Sequence, residues 1–265
     1  MNKKLIILGS GGPFTLPRFF CECDTCETAR REPALRRTRA SAAILGDEVT
    51  LIDAGPDLEM QLERESIRRI DNILITHWHY DHVAGLGAIN YPQVMREWKP
   101  IDVYVEKSLI SHFAKELIYL EDRVTLHSIS PGDTIALPDA TIEVVKTAHT
   151  EDSVGYIFNS KSRIAYLVDT ALPSDETARS ISDADTLILD AMFDSADIEW
   201  RHFTVHGAID FWKSSGPERC ILTHLACHKW ANWHWIAGFT CKERLQIERQ
   251  NPGLQFAYDG LEISL

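Results

Sequence analysis

His77-Trp78-His79-Tyr80-Asp81-His82 follows directly on the apolar run Ile73-Leu74-Ile75-Thr76. Three imidazoles and a carboxylate this close together are costly unless something binds them. Their spacing fits neither one face of a helix nor one face of a strand. It predicts a loop at the end of a strand whose side chains converge on metal. Imidazole nitrogen and carboxylate oxygen are donors that zinc, manganese and iron accept, and one carboxylate can serve two ions. The bland alternatives are a solvated histidine-rich loop or a purification tag. A tag would sit at a terminus and would not carry the interleaved Asp81.

If one such cluster exists, further donors should follow the ends of other strands. Short apolar runs bounded by turn residues predict strands at Leu5–Leu8, Ala42–Leu45, Thr50–Asp53, Ile73–Thr76, Asp102–Val105, Thr141–Lys146, Val154–Asn159, Arg163–Val168, Thr186–Asp190, Cys220–Thr223 and Phe256–Ala257. Apolar residues three or four apart predict helices over Asp57–Glu65, Lys107–Leu117, Ser174–Ser182 and His206–Ser214. Three of the strands run into a donor: Lys146 leads to His149, Val168 to Asp169 and Thr223 to His224. Singly, each is more often a cap or a turn residue. Together with the first cluster they supply four histidines from two elements and two aspartates, enough for two ions and a bridging oxygen.

The strands outnumber the helices, which fall in two separated groups. That pattern predicts an α/β fold of two packed sheets with helices outside, a four-layer sandwich, formed as a single domain over residues 1–265. The chain carries 39 acidic and 27 basic side chains, a formal charge of −12, which argues against a general nucleic-acid surface. The apolar run Leu5–Leu8 is too short for a secretory core and reads as a buried strand, and no stretch approaches a membrane span. A cytoplasmic location is therefore expected, with the six cysteines as thiols or metal ligands.

Cys21-Glu22-Cys23-Asp24-Thr25-Cys26 is the second cluster. Disulfides between such near neighbours would be strained, so a thiolate zinc site is the better reading. Three thiolates need a fourth donor to close a tetrahedral structural site, and Cys227 and His228 are the candidates. Cys220 and Cys241 read as buried thiols. Trp230, Trp233 and Trp235 suit a ligand mouth, the contact of a homodimer, or ordinary core.

The H-x-H-x-D-H loop with its later His, Asp and His resembles the metallo-β-lactamase superfamily, and the turn Asp53-Ala54-Gly55 matches it too. The resemblance implies an αβ/βα sandwich in which His77, His79 and His149 hold one ion. Asp81, His82 and His224 would hold the other, Asp169 would bridge them, and Asp53 would support the ligands from behind. Within the superfamily, the cysteine insert is similar to that of the phosphoribosyl 1,2-cyclic phosphate phosphodiesterases. Gly9-Ser10-Gly11-Gly12-Pro13, Arg36-Arg37-Thr38-Arg39, Ile221-Leu222-Thr223-His224 and Tyr258-Asp259-Gly260 carry the same likeness. It implies two divalent ions (manganese or zinc, with iron or nickel as alternatives), one structural zinc closed by Cys227, and a small phosphodiester substrate. Asp81 would orient the nucleophile, and His202, outside the metal shell, would act as general acid or base. Cyclic-nucleotide and tRNA-end phosphodiesterases share the scaffold, although no protruding basic RNA-binding arm is evident here. The pyrroloquinoline-quinone biosynthesis B proteins, of a different functional class, also resemble the chain.

Overall fold

The computed structural model describes residues 3–96, 99–194, 201–231, 234–237 and 239–265, with the backbone alone described at 93, 94, 96, 228–231 and 234–237. The chain first lays down β1 (Lys4–Gly9), β2 (Ser41–Leu45), β3 (Val49–Ile52), β4 (Asn72–Leu74), β5 (Ile101–Glu106) and β6 (Val124–Ile129). It then builds a second sheet from β7 (Thr134–Ala136), β8 (Thr141–Lys146), β9 (Val154–Asn159), β10 (Arg163–Leu167), β11 (Thr186–Asp190) and β12 (Arg219–Thr223). The short hairpin β13 (His228–Ala231) and β14 (His234–Ala237) stands apart; β15 (Leu254–Phe256) completes the second sheet and β16 (Glu262–Ser264) the first. Each sheet is mixed, with strand orders β16-β1-β2-β3-β4-β5-β6 and β15-β12-β11-β10-β9-β8-β7.

Period-two alternation explains the layering. Leu5 and Ile7 face the core between the sheets, while Ile6 and Leu8 face outward. On the second sheet Tyr156, Phe158, Ile164 and Tyr166 point inward, and Ile157, Ala165 and Leu167 point outward. The outer faces are covered by α2 (Leu58–Arg64) and α5 (Ile110–Glu116) on one side, through Leu58 and Phe113, and by α7 (Val205–Ser215) on the other, through Ala208, Phe211 and Trp212. This is the four-layer sandwich the sequence predicts. No described helix is long and apolar enough to cross a membrane.

Asp139 ties the two sheets at the end remote from the candidate ligands. Its carboxylate accepts the backbone N–H groups of Asp47 and Glu48, each at 2.9 Å, and lies 3.0 Å from the Lys3 ammonium. Burial alone would raise its pKa, but these donors outweigh burial and hold it below the ordinary aspartate value. Stability from such a depressed carboxyl is present above its unfolded pKa and is lost as pH falls through the folded one. Asp139→Asn should therefore cost about 1–2 kcal/mol in urea unfolding at pH 7. The deficit against wild type should shrink as pH falls below about 4, where the unfolded chain's carboxyl begins to take up its proton, and should be lost once the folded carboxyl, held lower, is protonated too.

Candidate metal centre

The structure refines the opening motif. His77, Trp78 and His79 lie in a loop after β4, as expected, but Asp81 and His82 sit on a short helix, α3 (Tyr80–Val83). Asp53 fixes this segment from below. Its carboxylate accepts the Thr76 N–H and hydroxyl, each at 2.8 Å, and meets His82 Nδ1 at 2.7 Å. Thr76 Oγ1 is 3.0 Å from His77 Nδ1. The outer nitrogen of each ring is thus occupied, and each Nε2 is turned inward. The helix approaches so closely that a Cβ on Gly55 would lie 2.1 Å from the Asp81 carbonyl oxygen. Asp53 (φ 63°) and His224 (φ 59°) are two of only three non-glycine residues with positive φ among the described residues. Strained backbone gathers where side-chain placement matters more than local ease.

Two donor sets result. In the first, His77 Nε2 and His149 Nε2 stand 2.9 and 3.1 Å from His79 Nδ1, and 3.7 and 3.8 Å from Asp169 Oδ2. In the second, Asp81 Oδ2 is 3.4 Å from His82 Nε2 and 3.7 Å from His224 Nε2. Asp169 Oδ1 completes that set at 3.6 and 3.2 Å from the same nitrogens. Ligand atoms about 2.1 Å from a tetrahedral ion stand roughly 3.4 Å from one another, so both sets have the spacing of a coordination shell. His82 Nε2, His224 Nε2 and Asp169 Oδ1 are buried and make no hydrogen bond. Such atoms are expensive to leave without a partner, and a cation answers all of them at once. Asp169 offers one oxygen to each set.

The electrostatics agree. Burial and the neighbouring His82 push His77 well down, and burial likewise lowers His149, leaving both neutral as ligands must be. Asp169 and Asp81 stay ionised despite burial because His224 and His82 face them.

His202 lies beside the donors. Its ring stacks on His224, with centroids 5.1 Å apart and planes 15° off parallel, and lies 4.7 Å from His149. Nδ1 is 2.6 Å from Asp190 Oδ2, which leaves Nε2 as the nitrogen able to serve a substrate. Burial alone would lower this imidazole, but the Asp190 carboxylate reverses that and lifts it to about 9. Asp190 is itself fixed by the N–H groups of Thr170 and Met192. His202, Asp190, Asp169 and His224 also form a third set of donors close enough to hold a cation. Sequence reasoning did not single out Asp190. The available signal was the one that drew attention to Asp169 and His224: Asp190 closes a buried strand. His206, four residues beyond His202, is exposed on α7.

The cysteine cluster also assembles. Cys23 caps α1 (Asp24–Arg31), Cys26 lies in its first turn, and the sulfurs of Cys21, Cys23, Cys26 and Cys227 fall within 4.8 Å of one another. Leu16 and Ala29 pack around them. Burial raises the Cys26 thiol to about 11 and Cys227 higher still. Four sulfurs in mutual reach, on three buried cysteines and the half-buried Cys23, fit a tetrahedral thiolate site. The side chains of His228, Trp230 and Trp235, and the whole of Trp233, lie outside the described residues. Cys220 is buried as expected, whereas Cys241 is exposed at the start of α8 (Cys241–Gln250), where the chain turns into the helix at the surface.

A two-sheet sandwich carrying converging His and Asp donors at its strand ends defines a metal-binding class of α/β domain. The chain belongs to the metallo-β-lactamase superfamily: the beta-lactamase superfamily domain matches residues 49–225. Among solved structures it is similar to a diphosphatase from the PhnP family (TM-score 0.83, 27% identity, 99% of this chain and 98% of that one). It shares its fold with zinc-bound PqqB from Methylobacterium extorquens (TM-score 0.79, 22% identity, 99% and 100%). Among curated proteins it is 28% identical to coenzyme PQQ synthesis protein B of Methylobacterium radiotolerans, over 99% of this chain and 100% of that protein. It is 27% identical to an octanoyltransferase of Porphyromonas gingivalis over 98% of this chain, but spans only 51% of that protein.

Proposed function

We propose that the chain is a dinuclear metal-dependent phosphodiesterase that opens a small cyclic phosphate diester, of the phosphoribosyl 1,2-cyclic phosphate kind, to a monoester. The observation that carries this reading is Asp169, whose two oxygens face two separate donor sets with His202 alongside. Similarity to a PhnP-family diphosphatase supports phosphorus as the centre attacked. His77, His79 and His149 would hold one divalent ion, Asp81, His82 and His224 the other, and Asp169 would span them. When bound, the ions (manganese or zinc) supply an acidified water and positive charge facing the phosphoryl oxygens. Asp81 would orient that water. As the new P–O bond forms, the bond to the sugar oxygen breaks, and His202 Nε2 delivers a proton to that departing oxygen. Asp190 holds the imidazole in the tautomer and orientation this requires. Cys21, Cys23, Cys26 and Cys227 would hold a structural zinc with no open position for substrate.

The likeness to PQQ synthesis protein B over its full length favours a second reading, a protein of that biosynthetic type. Hydrolysis of bis(p-nitrophenyl) phosphate separates the two. Turnover that appears with manganese or zinc and vanishes with chelator supports the phosphodiesterase. No turnover with any divalent ion would move the assignment to the second reading. Cyclic phosphoribose assayed beside cyclic nucleotides then identifies the substrate.

A further inference from the structure

His149 is carried by the connection between β8 and β9, residues 147–153, which has no regular structure. The segment is tied at its flanks. Ala148 N–H donates to Thr170 Oγ1 at 2.9 Å, and Val154 N–H donates to the Thr76 carbonyl, also at 2.9 Å, beside His77. Between those ties the loop curls over the side chain of the last β8 residue. The Lys146 ammonium donates to the carbonyls of Thr150 at 3.0 Å and Ser153 at 3.1 Å, and to that of Glu151. An ammonium has three N–H bonds and no acceptor, and here all three end on backbone oxygens of one loop. The main chain of Lys146 is held as well, its carbonyl accepting the Thr177 hydroxyl at 2.8 Å.

We propose that Lys146 is a positioning residue for the metal centre: its ammonium clasps the 147–153 loop in the one shape that turns His149 Nε2 toward His79 and Asp169. The inference rests on the dinuclear reading above. Carbonyl dipoles of residues 150, 151 and 153 point at a common centre, an arrangement that is repulsive without a cation there. Removing the ammonium strips the Glu151 carbonyl of this donor and leaves those of Thr150 and Ser153 to weaker contacts with Ser153 and Thr147, so the loop loosens between its ties to Thr76, Thr170, Ala171 and Arg201. His149 moves with it. Asp81, His82 and His224 come from α3 and from the end of β12, so the second donor set has no share in the clasp.

Lys146→Met tests this, because it keeps the length of the side chain and removes the charge and donors. Manganese and zinc titrations of chelator-stripped protein should show one active-centre ion bound about 10–100-fold more weakly, the usual effect of losing a group that orients a ligand. The other ion should bind as in wild type. Wild-type affinity for both ions would overturn the proposal. So would equal weakening of both, which would make Lys146 a general prop of the fold. Lys146→Arg keeps the charge in a planar fork that cannot serve three converging carbonyls, so its loss should be intermediate. That variant decides the matter if the methionine variant fails to fold. Hydrogen exchange on metal-free protein gives a second readout, independent of whether two ions bind at all. Exchange at Thr150 and Ser153, whose N–H groups pair with each other's residue inside the loop, should rise about tenfold in Lys146→Met, while Ala148 and the β8–β9 ladder stay protected. Unchanged exchange would sink the clasp, whereas failure of wild type to bind two ions would sink the functional reading instead.

Discussion

His202→Ala should lower turnover of a sugar phosphodiester by about 10²–10⁴-fold, the range for loss of a general acid, while leaving ion content unchanged. The geometry makes a sharper statement than the size of the drop. Nδ1 of His202 is committed to Asp190 at 2.6 Å, so only Nε2 can give up a proton to substrate. A sugar alkoxide is a poor leaving group and needs that proton. p-Nitrophenolate leaves readily as its own anion, so bis(p-nitrophenyl) phosphate should lose far less activity in the same variant. Asp190→Asn should show the same leaving-group pattern in milder form, because an amide cannot hold the imidazole tautomer as a carboxylate does. Equal losses on both substrates would make His202 a placement group with no acid role. Loss of an ion by elemental analysis would make it a ligand, as its closeness to Asp169 and His224 allows.

Much of the centre could be read in the sequence because donors at the carboxyl ends of buried strands are visible as an apolar run stopped by His or Asp. β10 leading to Asp169 and β12 to His224 are of this kind, and their strand cores are wholly buried. The eleven predicted strands all form, three with the predicted bounds and the others with ends displaced by at most two residues. What escaped was held by contacts the local pattern does not encode. β6 is one of the first sheet's two edge strands and mixes Thr125, His127 and Ser128 into its apolar run, so pairing with β5 is what makes it a strand. β7 and β16 are three residues each, too short for alternation to register. The helix under Asp81 and His82 is a single turn, stabilised by Ala54 N–H donating to the His82 carbonyl. Arg37 and Arg39, whose run of basic residues looks like a solvated turn when read alone, are half-buried: Arg39 pairs with Asp57 at 3.0 Å and Arg37 donates to Ser10. Asp190 closes a buried strand and so carried the same signal as Asp169, but its partner His202 is twelve residues away, and only the fold shows the pairing.

Asp169→Asn should be the most damaging single change at the centre. The substitution keeps volume and planarity and exchanges one carboxylate oxygen for an N–H₂ group, which has no lone pair to give a cation. Whichever way the amide turns, one donor set loses its shared ligand. Asp169 is buried, and its oxygens lie 3.2–3.8 Å from four imidazole nitrogens, so both donor sets feel the change at once. The negative charge that lets two cations sit close together disappears with it. Turnover should fall by more than about 10³-fold on every phosphodiester, beyond the usual loss of a single stabilising group. Elemental analysis should show the active-centre ions depleted while the ion at Cys21, Cys23, Cys26 and Cys227 stays at full stoichiometry. The contrast depends on independence of the two sites: the cysteine sulfurs share no ligand with Asp169, although Cys227 is only three residues beyond His224. Retention of both active-centre ions would remove Asp169 from its bridging place. Loss of the cysteine-bound ion as well would show that the strap from His224 to Cys227 makes the two centres fold as one unit.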